Sequence, residues 1–215
     1  MSNLPFAVQD APFAGAQYND DPVPAFVLDE RFAEAVAYAC RAHALQARKG
    51  TQVPYASHLL AVASLVLEHG GDEDQAIAAL LHDVIEDCGV QHEAVIAERF
   101  GPEVARLVRG CTDADTQPKP EWLPRKKAYI ARLDEGDDRL RLVAACDKLH
   151  NLRCILWDLR DPEIGPAVFD RFWADAEQTL WYYRSLGEVF ERHACPVAPK
   201  LVHVLRAVEE ALAPA

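Results

Sequence analysis

The sequence predicts an all-α protein. Apolar residues recur at helical spacing through nearly the whole chain after residue 27, and glycine and proline fall between the periodic segments. No stretch alternates apolar and polar residues as a half-buried strand would. At 215 residues, half of them hydrophobic, the chain is long enough for one domain with a substantial core.

Residues 1–27 hold Pro5, Pro12, Pro22 and Pro24 and no Lys or Arg, the pattern of an irregular arm. A first helix is expected from Leu28 to Ala47, where Ala33, Ala35, Ala37, Ala39 and Ala42 allow close packing. The run 48–55 reads as a loop ending in Pro54-Tyr55. The helix that follows, 56–69, is apolar nearly all round (Leu59, Leu60, Val62, Leu65, Val66) and should be buried, with Gly70-Gly71 stopping it. One helix is then expected from Asp72-Glu73-Asp74, whose acidic residues suit a first turn, to Gly89. Helices at 91–100 and 102–109 are split by Gly101, and 112–120 is a polar loop with two prolines. A basic helix over 122–133 carries Arg125, Lys126 and Lys127, a half-solvated face that can offer a phosphate contact. Long helices over 137–160 and 167–192 follow, and 197–212 closes the chain. The stretch Thr179-Leu180-Trp181-Tyr182-Tyr183-Arg184 reads as core plus one surface Arg. The division expected is an arm (1–27), a core (28–161) and C-terminal helices packed on that core (162–215).

The net charge of -12 argues against a nucleic-acid-binding surface, though a local basic pocket or a metal can still hold a small anion. Six cysteines lie scattered without CxxC spacing, mostly in apolar helical context. They read as small buried hydrophobes of a reduced, cytoplasmic protein. No apolar run reaches transmembrane length, and no signal-peptide pattern opens the chain.

The chemistry centres on Ala79-Leu80-Leu81-His82-Asp83-Val84-Ile85-Glu86-Asp87. On a helix, His82, Asp83, Glu86 and Asp87 share an arc of about 140°. Ile77, Leu81, Val84, Ile85 and Cys88 lie opposite, and no Lys or Arg on the helix neutralises the carboxylates. A solvated acidic face is the ordinary fate of such a cluster. This helix also carries Ala76, Ala78, Ala79 and Leu80, so it reads as central, and buried carboxylates are costly without a partner or a cation. A divalent metal resolves the conflict, since imidazole nitrogen and carboxylate oxygen are its natural ligands.

Three further residues are polar where the pattern expects apolar ones. His58 interrupts the most hydrophobic helix, Asp147 lies on the stripe of Leu140, Val143 and Ala144, and Asn151 follows Asp147 by one turn. Alone, His58 is more simply a hydrogen-bonded core residue. Together, His58, His82, Asp83 and Asp147 make a four-ligand set that leaves coordination positions open, the mark of a catalytic metal site. Glu86 and Asp87, one turn beyond, stand free to accept a proton. His43, His69, His92, His193 and His203 read as surface or cap residues, and His150 is ambiguous.

The order His58, His82-Asp83, Asp147 resembles that of the HD superfamily of metal-dependent phosphohydrolases. The fuller pattern is more specific. Arg48-Lys49 before Pro54-Tyr55-Ala56-Ser57-His58, the His82–Asp87 element, Phe100-Gly101, Thr112-Asp113 and Asp147-Lys148-Leu149-His150-Asn151-Leu152-Arg153 resemble the hydrolase domain of the RelA/SpoT alarmone enzymes and their small stand-alone relatives. The likeness covers roughly residues 30–160. It implies a helical fold with bound Mn²⁺, or another divalent metal, and removal of the 3′-pyrophosphate of (p)ppGpp. It implies metal ligation by His58, His82, Asp83 and Asp147, and catalysis by Glu86 and Asp87. It places Arg48 over the base, Lys49 on the phosphates, and Tyr55 and Asn151 nearby. The loop Gly50-Thr51-Gln52-Val53 departs from the usual short polar turn, which leaves both guanine and adenine as candidate bases. Two other readings are a phosphatase acting on NADPH or a nucleoside monophosphate, and a nucleotide sensor without turnover. The sensor predicts loss of a ligand or of the Glu-Asp pair, and neither is lost.

Overall fold

In the computed structural model, which describes residues 26–116 and 118–213, the fold is a helical bundle. The arm expected over 1–27 lies almost wholly outside the described residues. Among the described residues ten α-helices follow in order: α1 (Glu30–Ala42), α2 (Ala56–Glu68), α3 (Glu73–Leu81), α4 (Val84–Cys88), α5 (His92–Phe100), α6 (Pro102–Cys111), α7 (Trp122–Glu135), α8 (Asp138–Arg160), α9 (Ala176–Arg192) and α10 (Ala198–Leu212). A 3₁₀ helix, Gly165–Arg171, stands between α8 and α9. Among the described residues the only β pairing is an isolated antiparallel bridge, Ala47 to Pro54. None of the described helices is long and apolar enough to cross a membrane.

Helix α3 is the axis of the core. Every residue from Ala76 to Leu81 is fully buried, against α1, α2, α6 and α8. Its start is fixed by a capping box: Asp72 accepts the Gln75 amide at 3.0 Å while the Gln75 side chain accepts the Asp72 amide. Helix α8 lies alongside, with Val143, Ala144, Ala145, Cys146 and Leu149 buried, and α10 covers its other flank. Between α5 and α6, Gly101 takes φ +96°, a conformation that L side chains rarely adopt, which is why the chain turns there.

Four expectations need correction. The segment 72–89 is two helices, broken at His82-Asp83. Ala79 O, which the Asp83 amide would take in a continuous helix, accepts His82 Nδ1 at 2.7 Å instead. The first helix stops at Ala42 because His43 caps it and Gln46 folds back, its amide on His43 O and its side chain on the buried His43 ring. The segment 167–192 is divided: Asp175 caps α9 and forms a second capping box with Gln178. Helix α2 is not apolar-buried all round, since Leu60 faces solvent. Of the cysteines, Cys111, Cys146 and Cys195 are buried, Cys88 and Cys154 half-buried, and Cys40 exposed.

Candidate metal centre

The break after α3 presents His82 and Asp83 to a shared point. His58, from the first turn of α2, and Asp147, from the middle of α8, meet them there. His82 Nε2 lies 3.0 Å from Asp83 Oδ2 and 3.6 Å from Asp147 Oδ1. His58 Nε2 lies 3.2 Å from Asp147 Oδ1 and 3.6 Å from Asp83 Oδ2. All four residues assigned to the metal therefore converge, from segments 89 residues apart at the extremes (58 to 147).

Buried imidazole nitrogens normally have partners. Here the Nε2 atoms of both His58 and His82 are buried with no hydrogen-bond partner among the described residues. The other nitrogen of each ring is held: His82 Nδ1 by Ala79 O, and His58 Nδ1 by His150 Nδ1 at 2.8 Å. Fixing one ring nitrogen leaves the other to coordinate, as metal-binding histidines require. His58, His82 and Asp83 bring two ring nitrogens and one carboxylate oxygen within 4.8 Å of one another, a donor set without thiolate that fits a divalent metal, and Asp147 Oδ1 lies within 3.6 Å of both ring nitrogens. Electrostatics agree. Burial disfavours a charged His82, yet the charges of Asp83 and Asp147 outweigh it and raise its pKa well above the ordinary value. A site that pulls a proton so strongly onto a buried ring pulls a cation for the same reason.

Supporting contacts hold the carboxylates. Tyr55 Oη donates to Asp83 Oδ2 at 2.6 Å, and burial followed by that carboxylate's charge keeps the phenol protonated. Lys148 Nζ donates to Asp147 Oδ2 at 2.6 Å and lies over the Tyr129 ring. Asn151 Nδ2 donates to Asp147 Oδ1, and Arg48 Nη2 donates to Asn151 Oδ1 at 2.7 Å. The chain Arg48–Asn151–Asp147 thus runs from the surface to the centre.

Glu86 and Asp87 do not both stand free. Glu86 Oε1 accepts Lys119 Nζ at 2.7 Å and Oε2 accepts the Asp113 amide at 3.0 Å. Among the described residues Asp87 accepts only Gln46 Nε2, at 2.8 Å, and its carboxyl is raised above the usual range by burial and by the charge of Asp83. The two face different cavities. One, of about 710 Å³, is lined by Arg48, Tyr55, Asp87, His150 and Asn151. The other, of about 750 Å³, is lined by Glu86, Lys119, Trp122 and Arg125. Both share Lys49, Lys126, Phe172, Tyr182 and Tyr183, so they form two lobes of one cleft. Arg48 lies 5.7 Å over the Tyr55 ring and Lys49 5.7 Å over Phe172.

Arg125 and Lys126 are paired with Asp113 rather than simply solvated. Tyr182 and Tyr183 are core residues that also line the cleft, and Arg184 is exposed against Glu209, as read from the sequence. Sequence reasoning assigned no role to Gln46, Lys119, Lys148 or His150. For Lys148 a signal existed, a charge on the stripe beside Asp147; for Gln46 and Lys119 there was none. His43 caps α1, but it is buried and stacked on Tyr55 rather than lying at the surface.

The HD domain family model matches residues 35–165. A guanosine-3′,5′-bis(diphosphate) 3′-pyrophosphohydrolase of Drosophila melanogaster is 38% identical over 126 residues, 57% of this chain and 68% of that protein. The Homo sapiens enzyme of the same name is 37% identical over 123 residues, 56% of this chain and 66% of that protein. The solved structure of a metazoan ortholog of SpoT that hydrolyses ppGpp superposes with a TM-score of 0.67 at 28% identity, covering 85% of this chain and 97% of that one. A Listeria monocytogenes EGD-e structure gives a TM-score of 0.63 at 26% identity, covering 71% of this chain and 99% of that one.

Proposed function

The chain belongs to the HD domain family, and from that premise we propose that it is a Mn²⁺-dependent hydrolase removing the 3′-pyrophosphate of a purine alarmone such as (p)ppGpp. The products are GDP or GTP and pyrophosphate. The observation that carries this reading is the placement of Glu86 and Asp87 one turn beyond the ligand pair His82-Asp83, on a cleft whose walls carry Lys49, Lys119, Arg125 and Lys126. Relatives at 37–38% identity named for this reaction support it.

His58, His82, Asp83 and Asp147 would hold the metal, which when bound polarises the scissile phosphoryl group and acidifies the attacking water. The remaining work falls to the chain's own groups. Arg48, fixed by Asn151, offers a planar guanidinium for a purine to stack on. Lys49 and Lys126, where the lobes meet, neutralise phosphate charge. Glu86 and Asp87 accept the proton from the attacking water, and the raised carboxyl of Asp87 brings it closer to a working base. Residues 28–161 would form the hydrolytic core, with the later helices packed on it.

Arg48→Ala is expected to raise KM about tenfold, the worth of a 1.4 kcal/mol stacking contact, with metal content unchanged. Lys49→Ala should lower kcat/KM, again with the metal retained. Steady-state kinetics beside metal analysis check both, and wild-type values in the two variants would move the nucleotide elsewhere. The function itself is tested by turnover with Mn²⁺ on ppGpp, its adenine counterpart, NADPH and nucleoside monophosphates. Preference for either 3′-pyrophosphate supports the proposal and names the base. Preference for NADPH or a monophosphate replaces it with the phosphatase reading, and binding without turnover replaces it with a sensor.

A further inference from the structure

His150 is used by none of the steps above, yet it touches the metal centre directly. Its Nδ1 lies 2.8 Å from His58 Nδ1, with ring centroids 4.9 Å apart. Its other neighbour is the Cys154 thiol, 3.9 Å from both ring nitrogens, too long for a strong bond. The same ring lines the cleft lobe that holds Arg48 and Asn151. At 2.8 Å, one Nδ1 of the pair donates and the other accepts. Such a bond carries one proton, and which ring owns it decides what His58 can do.

If His58 Nδ1 carries the proton, Nε2 offers a lone pair to the centre. If His150 Nδ1 carries it, His58 must hold its own proton on Nε2, 3.2 Å from Asp147 Oδ1, and cannot ligate. The two arrangements interconvert without change of charge. The His58 proton passes between Nε2 and Nδ1 while the His150 proton passes between Nδ1 and Nε2, so each ring keeps one proton throughout. We propose that His150 is a positioning residue that holds His58 in its metal-binding tautomer by accepting the Nδ1 proton. Without an acceptor there, the buried Nδ1–H would be unsatisfied, and the tautomer with its proton on Nε2, 3.2 Å from Asp147 Oδ1, would be favoured. The inference rests on the metal centre alone and is independent of which substrate the cleft takes.

The test measures Mn²⁺ binding to metal-stripped protein by calorimetry. His150→Phe removes the acceptor and should weaken binding about 10- to 100-fold, the usual effect of losing a partner behind a metal-binding histidine. His150→Asn supplies an amide oxygen and should restore wild-type affinity. Wild-type affinity in His150→Phe, or equal loss in both variants, overturns the proposal. Should His150→Phe fail to fold, ring-nitrogen NMR of the wild-type protein decides instead, with diamagnetic Zn²⁺ as the ion. A protonated Nδ1 on His58 in the loaded protein supports the assignment, and a protonated Nε2 refutes it. Absence of metal binding in the wild type would refute the centre itself, a different failure.

Discussion

Asp83→Ala is expected to lose metal and hydrolysis together. Asp83 is one of the four residues proposed to hold the metal, and its Oδ2 sits 3.0 Å from His82 Nε2 and 3.6 Å from His58 Nε2. Burial opposes its charge, but the neighbouring His82 outweighs burial and holds the carboxyl well below the usual range. The side chain is therefore an anion at working pH and supplies negative charge that the cation needs. Its removal should cost more than the about 10- to 100-fold in metal affinity lost with an outer partner. Stability gives a second readout. A ligand that binds only the folded state contributes about 2.7 kcal/mol at a hundred times its dissociation constant. Metal should therefore raise the melting temperature of the wild type and leave that of Asp83→Ala unmoved. Metal content by mass spectrometry, kcat and thermal melts check this. A variant that keeps its metal would remove Asp83 from the ligand set.

Glu86→Gln is expected to fail differently, keeping the metal while turnover drops. The substitution preserves size and one carbonyl oxygen, so the Asp113 amide or Lys119 can still be satisfied. What it loses is the basic oxygen. General acid–base assistance is worth about 10²- to 10⁴-fold, which sets the expected fall in kcat. Nucleotide binding should survive, so the variant can trap bound substrate. Near-normal turnover, or metal loss equal to that of Asp83→Ala, would show that Glu86 serves only to anchor the 112–121 loop through Lys119.

The helices were legible where their signals are local. Asp72 with Gln75 opens α3, Asp137 caps α8, and Gly89 and Gly101 stop helices where the sequence places them. The break at His82-Asp83 was not legible, because apolar periodicity runs straight across it. At the break the His82 ring, rather than the Asp83 amide, takes Ala79 O. The start of α9 was within reach, since Asp175 and Gln178 have capping-box spacing, but the apolar run through Phe169, Phe172 and Trp173 hid it. Within the site, His58 and Asp147 gave themselves away as polar residues on apolar stripes, and the packing of α2, α3 and α8 brings them to His82 and Asp83. Partners joined only by tertiary structure left no trace. Gln46 reaches Asp87 across 41 residues, Lys119 reaches Glu86 across 33, and His150 reaches His58 across 92. No periodicity links such positions.

The central claim is that this cleft releases pyrophosphate intact from the 3′ position of a purine nucleotide. Phosphorus NMR of the metal-loaded protein turning over ppGpp reads it directly. The account predicts GDP and pyrophosphate appearing in equal amounts, with no orthophosphate ahead of them, and no reaction once a chelator has stripped the metal. Release of orthophosphate alone, or the same products at full rate from metal-free protein, would contradict it.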